Sequence, residues 1–144
     1  MSIELKIVEF GSELYDKTVT LRYKVLRAPL GLEFSKEDLA KEGEDVHIAA
    51  TKGKEVVGCL ILTPLSEGVM KMRQVAVEPK LQGRGIGEHM VWFAEEVAKA
   101  RKVKRLELNV RDVAFNFYKK MNYIQEGDPF EEVTIKHWFM YKNL

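Results

Sequence analysis

The chain has 144 residues, so we expect residues 1–144 to form a single domain. Apolar residues make up 46% and charged residues 31%, a globular rather than a disordered balance, and the net charge of +1 gives no overall field that favours nucleic acid. No apolar run approaches the ~20 residues that span a bilayer. The charges near the N-terminus are unlike a secretory signal peptide. We therefore expect a cytoplasmic protein that binds neither nucleic acid nor membrane.

The single cysteine, Cys59, lies in an apolar run, which predicts a buried thiol in a reducing compartment rather than a disulfide. No group of histidines and cysteines has metal-ligand spacing, so no metal site is expected. No local motif suggests a Ser-His-Asp or Cys-His arrangement.

The first half of the chain predicts a strand at residues 3–9 and a helix that starts after Ser12 and runs to about Arg27. A proline and a glycine then end the helix. Ser35, with Asp38 three residues on, predicts the start of a short second helix. The charged run 22–27 is interpreted as the solvated face of the first helix, with a contribution to a binding site as the alternative.

The middle of the chain predicts a meander of three strands, at residues 46–51, 55–65 and 69–77. The turns between them are short, so neighbouring strands should be antiparallel.

The second half predicts a helix at residues 85–101, a strand at 104–110 and a helix at 113–121 capped by Asp112. Two strands joined near Gly127 should follow within residues 123–141. The helices interrupt the strands without strict alternation. This order predicts an α+β layered domain with a mixed, largely antiparallel sheet and helices on both faces.

A glycine-rich loop joins the third meander strand to the long helix, and its residues are Gln82, Gly83, Arg84, Gly85, Ile86 and Gly87. Glycines allow close backbone approach, and the first turn of a helix presents unpaired N–H groups and partial positive charge. The loop therefore predicts a phosphate site, although a glycine connection that merely packs the helix is the alternative. The glycine spacing matches neither a P-loop nor a dinucleotide fingerprint.

The loop resembles the Q/R-x-x-G-x-G/A signature of the GNAT superfamily of N-acetyltransferases. The strand 106–110 and the segment 114–123, with Tyr118, resemble that family's next strand and its A-x-x-x-Y-x-K-x-G-F helix. Two positions depart from the pattern. Asn122 stands where glycine is usual and tolerates positive φ better than most residues. Arg111 stands where many members have asparagine near the cofactor, with Asn109 two residues earlier.

The resemblance implies an N-acetyltransferase that uses acetyl-CoA as acyl donor. It implies that the loop 82–87 holds the phosphates and that the backbone of Val75, Ala76 and Val77 pairs with the pantetheine arm. Asn109 and Tyr118 would also contact the cofactor. An acceptor amine would attack the thioester directly, and Tyr118 would protonate the leaving thiolate.

The general base is not readable from the sequence. His137 is the preferred catalytic candidate because its ordinary pKa suits proton relay, and Glu33 and His47 are alternatives. His89 is expected to be exposed.

The acceptor is expected to be a small-molecule or peptide amine, with polyamine, aminoglycoside, amino acid and protein lysine all open. A non-catalytic acyl-CoA sensor of the same fold and a Rossmann-type nucleotide enzyme are the competing functions. The C-terminal aromatic residues would suit a homodimer contact; they are Trp138, Phe139 and Tyr141.

Overall fold

The structure, a computed structural model, describes residues 2–144. Its regular helices are α1 (Glu13–Arg22), α2 (Lys36–Ala40), α3 (Ile86–Ala100) and α4 (Phe115–Lys120). Its strands are β1 (Glu4–Val8), β2 (Val46–Lys52), β3 (Glu55–Ser66), β4 (Val69–Val77), β5 (Arg105–Arg111), β6 (Ile124–Gln125), β7 (Phe130–Glu132) and β8 (Ile135–Asn143). A π turn (Tyr23–Arg27) and 3₁₀ turns at Ala28–Leu30, Lys41–Glu44, Pro79–Leu81 and Asp112–Ala114 join some of them. No helix in residues 2–144 is long and apolar enough to cross a membrane.

All eight strands form one sheet in the order β1-β2-β3-β4-β5-β8-β6, with β7 paired to β8. Every pair is antiparallel except β4 and β5, which run parallel. The expected mixed, largely antiparallel sheet is confirmed. So is the antiparallel meander predicted from the short turns.

Helices cover both faces of the sheet, as predicted. Alternate residues of a strand point to opposite faces. On one face, α1 covers small side chains that include Ala49, Cys59 and Ala76. On the other, α3 packs on the main core, whose sheet members include Leu60 and Met72. Cys59 is 1% exposed, which confirms the prediction of a buried thiol.

The helix predicted up to Arg27 is regular only as far as Arg22. Ser12 does cap its start, since its side chain accepts from the N–H of Tyr15. Residues Tyr23–Arg27 then form a π turn. The wider turn brings residues five apart onto one side. Arg22 and Arg27 accordingly both lie over the ring of Phe34, at 5.1 and 4.9 Å from its centre.

Two predictions for the last third are wrong in detail. Asp112 does not cap a helix, because its carboxylate accepts from Trp138 Nε1 at 2.8 Å and α4 begins only at Phe115. The C-terminal region has three strands rather than two. β7 and β8 are joined at Val133 and Thr134, both at positive φ, and β-branched residues give no turn signal in a sequence.

Candidate active site

The strands β4 and β5 separate soon after they meet. They pair only over Val69–Lys71 and Arg105–Glu107. β4 also has one extra residue between Arg73 and Ala76 relative to β3, a bulge at which Gln74 has φ of 52°. The separation opens the sheet at its centre.

Two cavities meet at this opening. The glycine-loop cavity, of about 520 Å³, lies between β4, the loop and α4. The histidine cavity, of about 460 Å³, lies between β4, β5, the π turn and the β7–β8 hairpin. Val75, Val113, Ala114 and Tyr118 line both cavities. A molecule that passes between the strands can therefore reach from one cavity into the other.

The glycine loop has the conformation that an anion site needs. Gly83 and Gly85 have φ of 80° and 85°, and a Cβ added at either would meet no atom within 4 Å. α3 starts at Ile86 without a side-chain cap, so the N–H groups of its first turn point into open space. At Gly87 a Cβ would lie 3.5 Å from Phe117. That is an ordinary van der Waals contact, so only Gly83 and Gly85, at positive φ, need to be glycine here.

The other loop residues are arranged around this opening. Gln82 donates from Nε2 to the carbonyl of Val77 at 3.2 Å, which ties the loop to the end of β4. Arg84 is exposed and does not line the glycine-loop cavity.

The edge of β4 that faces the opening can pair with an extended ligand. The N–H of Glu78 donates to Val57 of β3 at 2.8 Å. Because successive backbone groups alternate in direction, the N–H of Val77 points the other way, into the opening. Val75 shares that direction. Ala76 instead pairs with Cys59 and is 2% exposed.

Tyr118 lies where the two cavities join. Its side chain is 6% exposed and packs edge-on against Phe117 and Tyr123. Burial raises the pKa of its phenol above the ordinary value of 10. The group is therefore a neutral hydroxyl that can donate a hydrogen bond, and the same burial makes full transfer of its proton less favourable.

His137 lines the histidine cavity on β8. Its Nδ1 lies 2.8 Å from the carbonyl of Ile135, the geometry of an Nδ1–H donor, which leaves Nε2 as the free ring nitrogen. Nε2 is 3.8 Å from Glu132, and Phe130 stacks on the ring. Arg111 stands directly opposite His137 in the β5–β8 pair.

Asn109 and Arg111 both belong to the histidine cavity. Asn109 donates to Glu132 at 3.4 Å, and Arg111 donates to the carbonyl of Leu26 at 3.4 Å. Neither residue lines the glycine-loop cavity. The structure therefore places Asn109 away from the predicted phosphate loop.

The remaining candidate bases lie outside both cavities. His47 is 2% exposed and bonded through Nε2 to the carbonyl of Glu42 at 2.9 Å. Glu33 is exposed on the loop before α2, and His89 is exposed on α3 beside Trp92.

The interpretation of residues 22–27 as a solvated face is wrong for Arg22, which is fully buried. Its guanidinium binds Glu42 through two bonds of 2.9 and 2.8 Å and also donates to Gln74 at 2.8 Å. Tyr15 donates to the same carboxylate at 2.8 Å. We call these four residues the buried arginine cluster. Sequence reasoning missed it because the partners are far apart in the chain.

The cluster shifts the titration of its members and of Cys59. Burial alone would raise the pKa of Glu42, but its hydrogen bonds to Arg22 and Tyr15 outweigh this and lower it. Burial and the bond to Glu42 raise the pKa of Tyr15 to about 12. Burial likewise raises the pKa of the Cys59 thiol to about 12, so this thiol is unsuited to nucleophilic chemistry.

Solved structures share this whole architecture. A Lactobacillus plantarum protein assigned as an N-acetyltransferase is 21% identical, with a TM-score of 0.87 over 100% of this chain and 99% of that one. ElaA from Escherichia coli is 20% identical, with a TM-score of 0.83 over 98% and 99%. A GNAT family acetyltransferase from Elizabethkingia anophelis with acetyl-CoA bound is 20% identical, with a TM-score of 0.75 over 99% and 98%.

At these identities the structural likeness establishes the fold, and the family follows from the sequence. The model of the acetyltransferase (GNAT) family matches residues 12–123, most of the chain. That range contains the glycine loop, the separated strands and Tyr118. The chain therefore belongs to the GNAT family of acetyltransferases.

Proposed function

We propose that this protein is an N-acetyltransferase that moves an acetyl group from acetyl-CoA to a primary amine. The observation that carries the proposal is the opening between β4 and β5, which links an anion-binding loop to a second cavity through Tyr118. Acetyl-CoA has phosphates at one end and the reacting thioester at the other. The second cavity leaves room for an acceptor beyond the thioester.

The described residues fit such a donor along its length. The first turn of α3 and the open positions at Gly83 and Gly85 suit the phosphates. The free edge of β4 at Val75 and Val77 suits the amide groups of pantetheine, which can pair as a strand does. The Elizabethkingia neighbour was solved with acetyl-CoA bound, which supports the same donor here.

The chemistry assigned to the residues is direct transfer. The N–H of Val77 is directed to stabilise the oxygen of the thioester carbonyl as negative charge develops there. When the amine nitrogen bonds to the carbonyl carbon, the carbon–sulfur bond breaks. The thiolate takes a proton from Tyr118, which recovers one from solvent. The amine loses its own proton to a base, and His137 Nε2 is the candidate for that role.

The test measures release of free thiol from acetyl-CoA with a panel of primary amines. We expect Tyr118→Phe to lower turnover about tenfold or more at saturating substrates, the usual worth of a positioned acid, with little change in donor affinity. Tyr141→Phe is the matched control because Tyr141 packs on Arg105, outside both cavities. Unchanged turnover in Tyr118→Phe would contradict the proposed role of Tyr118 as the general acid.

A non-catalytic acyl-CoA sensor is the second candidate. The observation in its favour is that β4 offers Arg73 and Gln74 to the histidine cavity, and neither is a carboxylate base. Saturable binding of acetyl-CoA without thiol release across the amine panel would favour the sensor.

A further inference from the structure

The histidine cavity has an uneven charge balance. Four cationic side chains and one carboxylate line it. The carboxylate is Glu132, and the cations are Arg27, Lys71, Arg73 and Arg111. In residues 2–144 none of these four cations has a carboxylate within 4.0 Å. The chain as a whole is nearly neutral at +1, so the cavity differs from the average surface.

Two of the four cations, Arg27 and Arg111, line the cavity where the π turn meets the end of β5. Arg111, at the end of β5, bonds the carbonyl of Leu26, the residue before Arg27. Burial lowers the pKa of the Arg111 guanidinium and the charge of Arg27 lowers it further, while the charge of Glu132 opposes both. Two guanidinium groups that face one cavity repel each other, and an anion bound between them would lower the free energy of that arrangement.

The donor phosphates do not account for this pair. Neither Arg27 nor Arg111 lines the glycine-loop cavity, where the loop and the first turn of α3 already provide for phosphate. Both arginines lie on the far side of Tyr118, where the proposed acceptor enters. Guanidinium groups bind carboxylate and phosphate through paired N–H donors.

The single carboxylate of the cavity lies beside the candidate base. Glu132 lies 3.8 Å from His137 Nε2 and accepts from Asn109 at 3.4 Å. This arrangement suits an ammonium group that must lose a proton before it reacts. The cavity thus places one carboxylate beside the candidate base, and Arg111 stands opposite that histidine on β5.

We infer that the acceptor is an amine that also carries an anionic group, carboxylate or phosphate, which Arg27 and Arg111 bind while the amine faces Glu132 and His137. The inference rests on the proposed acetyl transfer and narrows its acceptor class. It selects amino acids and phosphorylated amines, and it excludes polyamines and aminoglycosides.

The experiment compares acceptors that carry an anionic group with analogues that lack it. The pairs are glycine with glycinamide, β-alanine with 1,3-diaminopropane, and phosphoethanolamine with ethanolamine. We expect kcat/KM to be about tenfold or more higher for the anionic member, because an anion pairs the otherwise unpaired arginines. The first two pairs test carboxylate and the third tests phosphate.

Variants locate the effect on the two arginines. Arg27→Gln and Arg111→Gln should each remove most of the preference, measured as the ratio of kcat/KM within each pair. Lys99→Gln, an exposed cation on α3 outside both cavities, is the control and should keep the preference. A preference that persists in both arginine variants would overturn the assignment.

A binding measurement separates this inference from the proposed function. N-acetyl-β-alanine and N-acetyl-1,3-diaminopropane are titrated calorimetrically into the protein saturated with CoA, whether or not turnover is seen. Tighter binding of the carboxylate compound supports the inference. Equal binding, or tighter binding of the cationic compound, overturns it. Failure of all amines as acceptors would contradict only the transferase function.

Discussion

Arg22 and Arg111 lie on the same side of the sheet and have opposite surroundings. Arg22 is fully buried, and its terminal nitrogens make three bonds of 2.8 to 2.9 Å to Glu42 and Gln74. Arg111 is half-buried and bonds one carbonyl at 3.4 Å. The first arginine has a carboxylate partner from its own chain, and the second has another arginine, Arg27, as its neighbour.

The difference indicates two roles for buried charge. A paired charge such as Arg22 fixes the positions of the elements that supply its partners. An unpaired charge beside a cavity lowers the stability of the fold, and ligands often bind at such sites. Gln74 connects the two regions, because it bonds Arg22 from the bulge of β4 and also lines the histidine cavity.

The largest expected effect is on folding. Glu42→Ala would leave Arg22 buried without its carboxylate, and we expect a loss of about 3–5 kcal/mol in the free energy of unfolding. Arg111→Gln should change it by less than about 0.5 kcal/mol or increase it slightly, because Arg111 makes one 3.4 Å bond to a carbonyl and has no carboxylate within 4.0 Å. Urea denaturation measures both. Equal losses of unfolding free energy in the two variants would contradict the distinction between a paired and an unpaired buried arginine.

The next effect concerns the bulge that joins the two regions. Gln74→Ala removes a bond to a charged group and keeps a side chain at a φ of 52°, so we expect a loss of about 2 kcal/mol. Gln74→Gly removes the same bond but tolerates positive φ, so it should be about 1 kcal/mol more stable than the alanine variant. Denaturation of the pair under one set of conditions gives this difference. The reverse order would mean that the bulge is not under strain.

The smallest expected effect is on the pH dependence of stability. The pKa of Glu42 is lower in the folded chain than its ordinary value, so its contribution is present above the unfolded pKa of ~4.3 and is lost as the pH falls through the folded pKa. Stability should therefore decline in acid more steeply in the natural chain than in Glu42→Gln. Thermal unfolding between neutral and acidic pH compares the slopes, and parallel curves would contradict the pairing.

Much of the fold could be predicted from local patterns. The glycine loop, the long amphipathic helix and the Ser12 and Ser35 caps depend on residues close together in the chain, and all are confirmed. Asn122 has a φ of 72°, as its place in the pattern indicates. The end of α1 could not be predicted, because the burial of Arg22 depends on Glu42 and Gln74. The prediction that Asp112 caps a helix was wrong for the same reason, since its hydrogen-bond partner Trp138 comes from a distant strand.

The sequence by itself determined the order of elements as far as α4, the family signature and the glycine loop, because each is encoded by neighbouring residues. Only the tertiary structure decided which charges are paired. Arg22 and Arg27 belong to the same run, yet one lies in a closed network and the other lines the histidine cavity together with Arg111. Electrostatic partners are set by distance in space, so the character of the proposed acceptor site emerges only when the strands and the π turn come together.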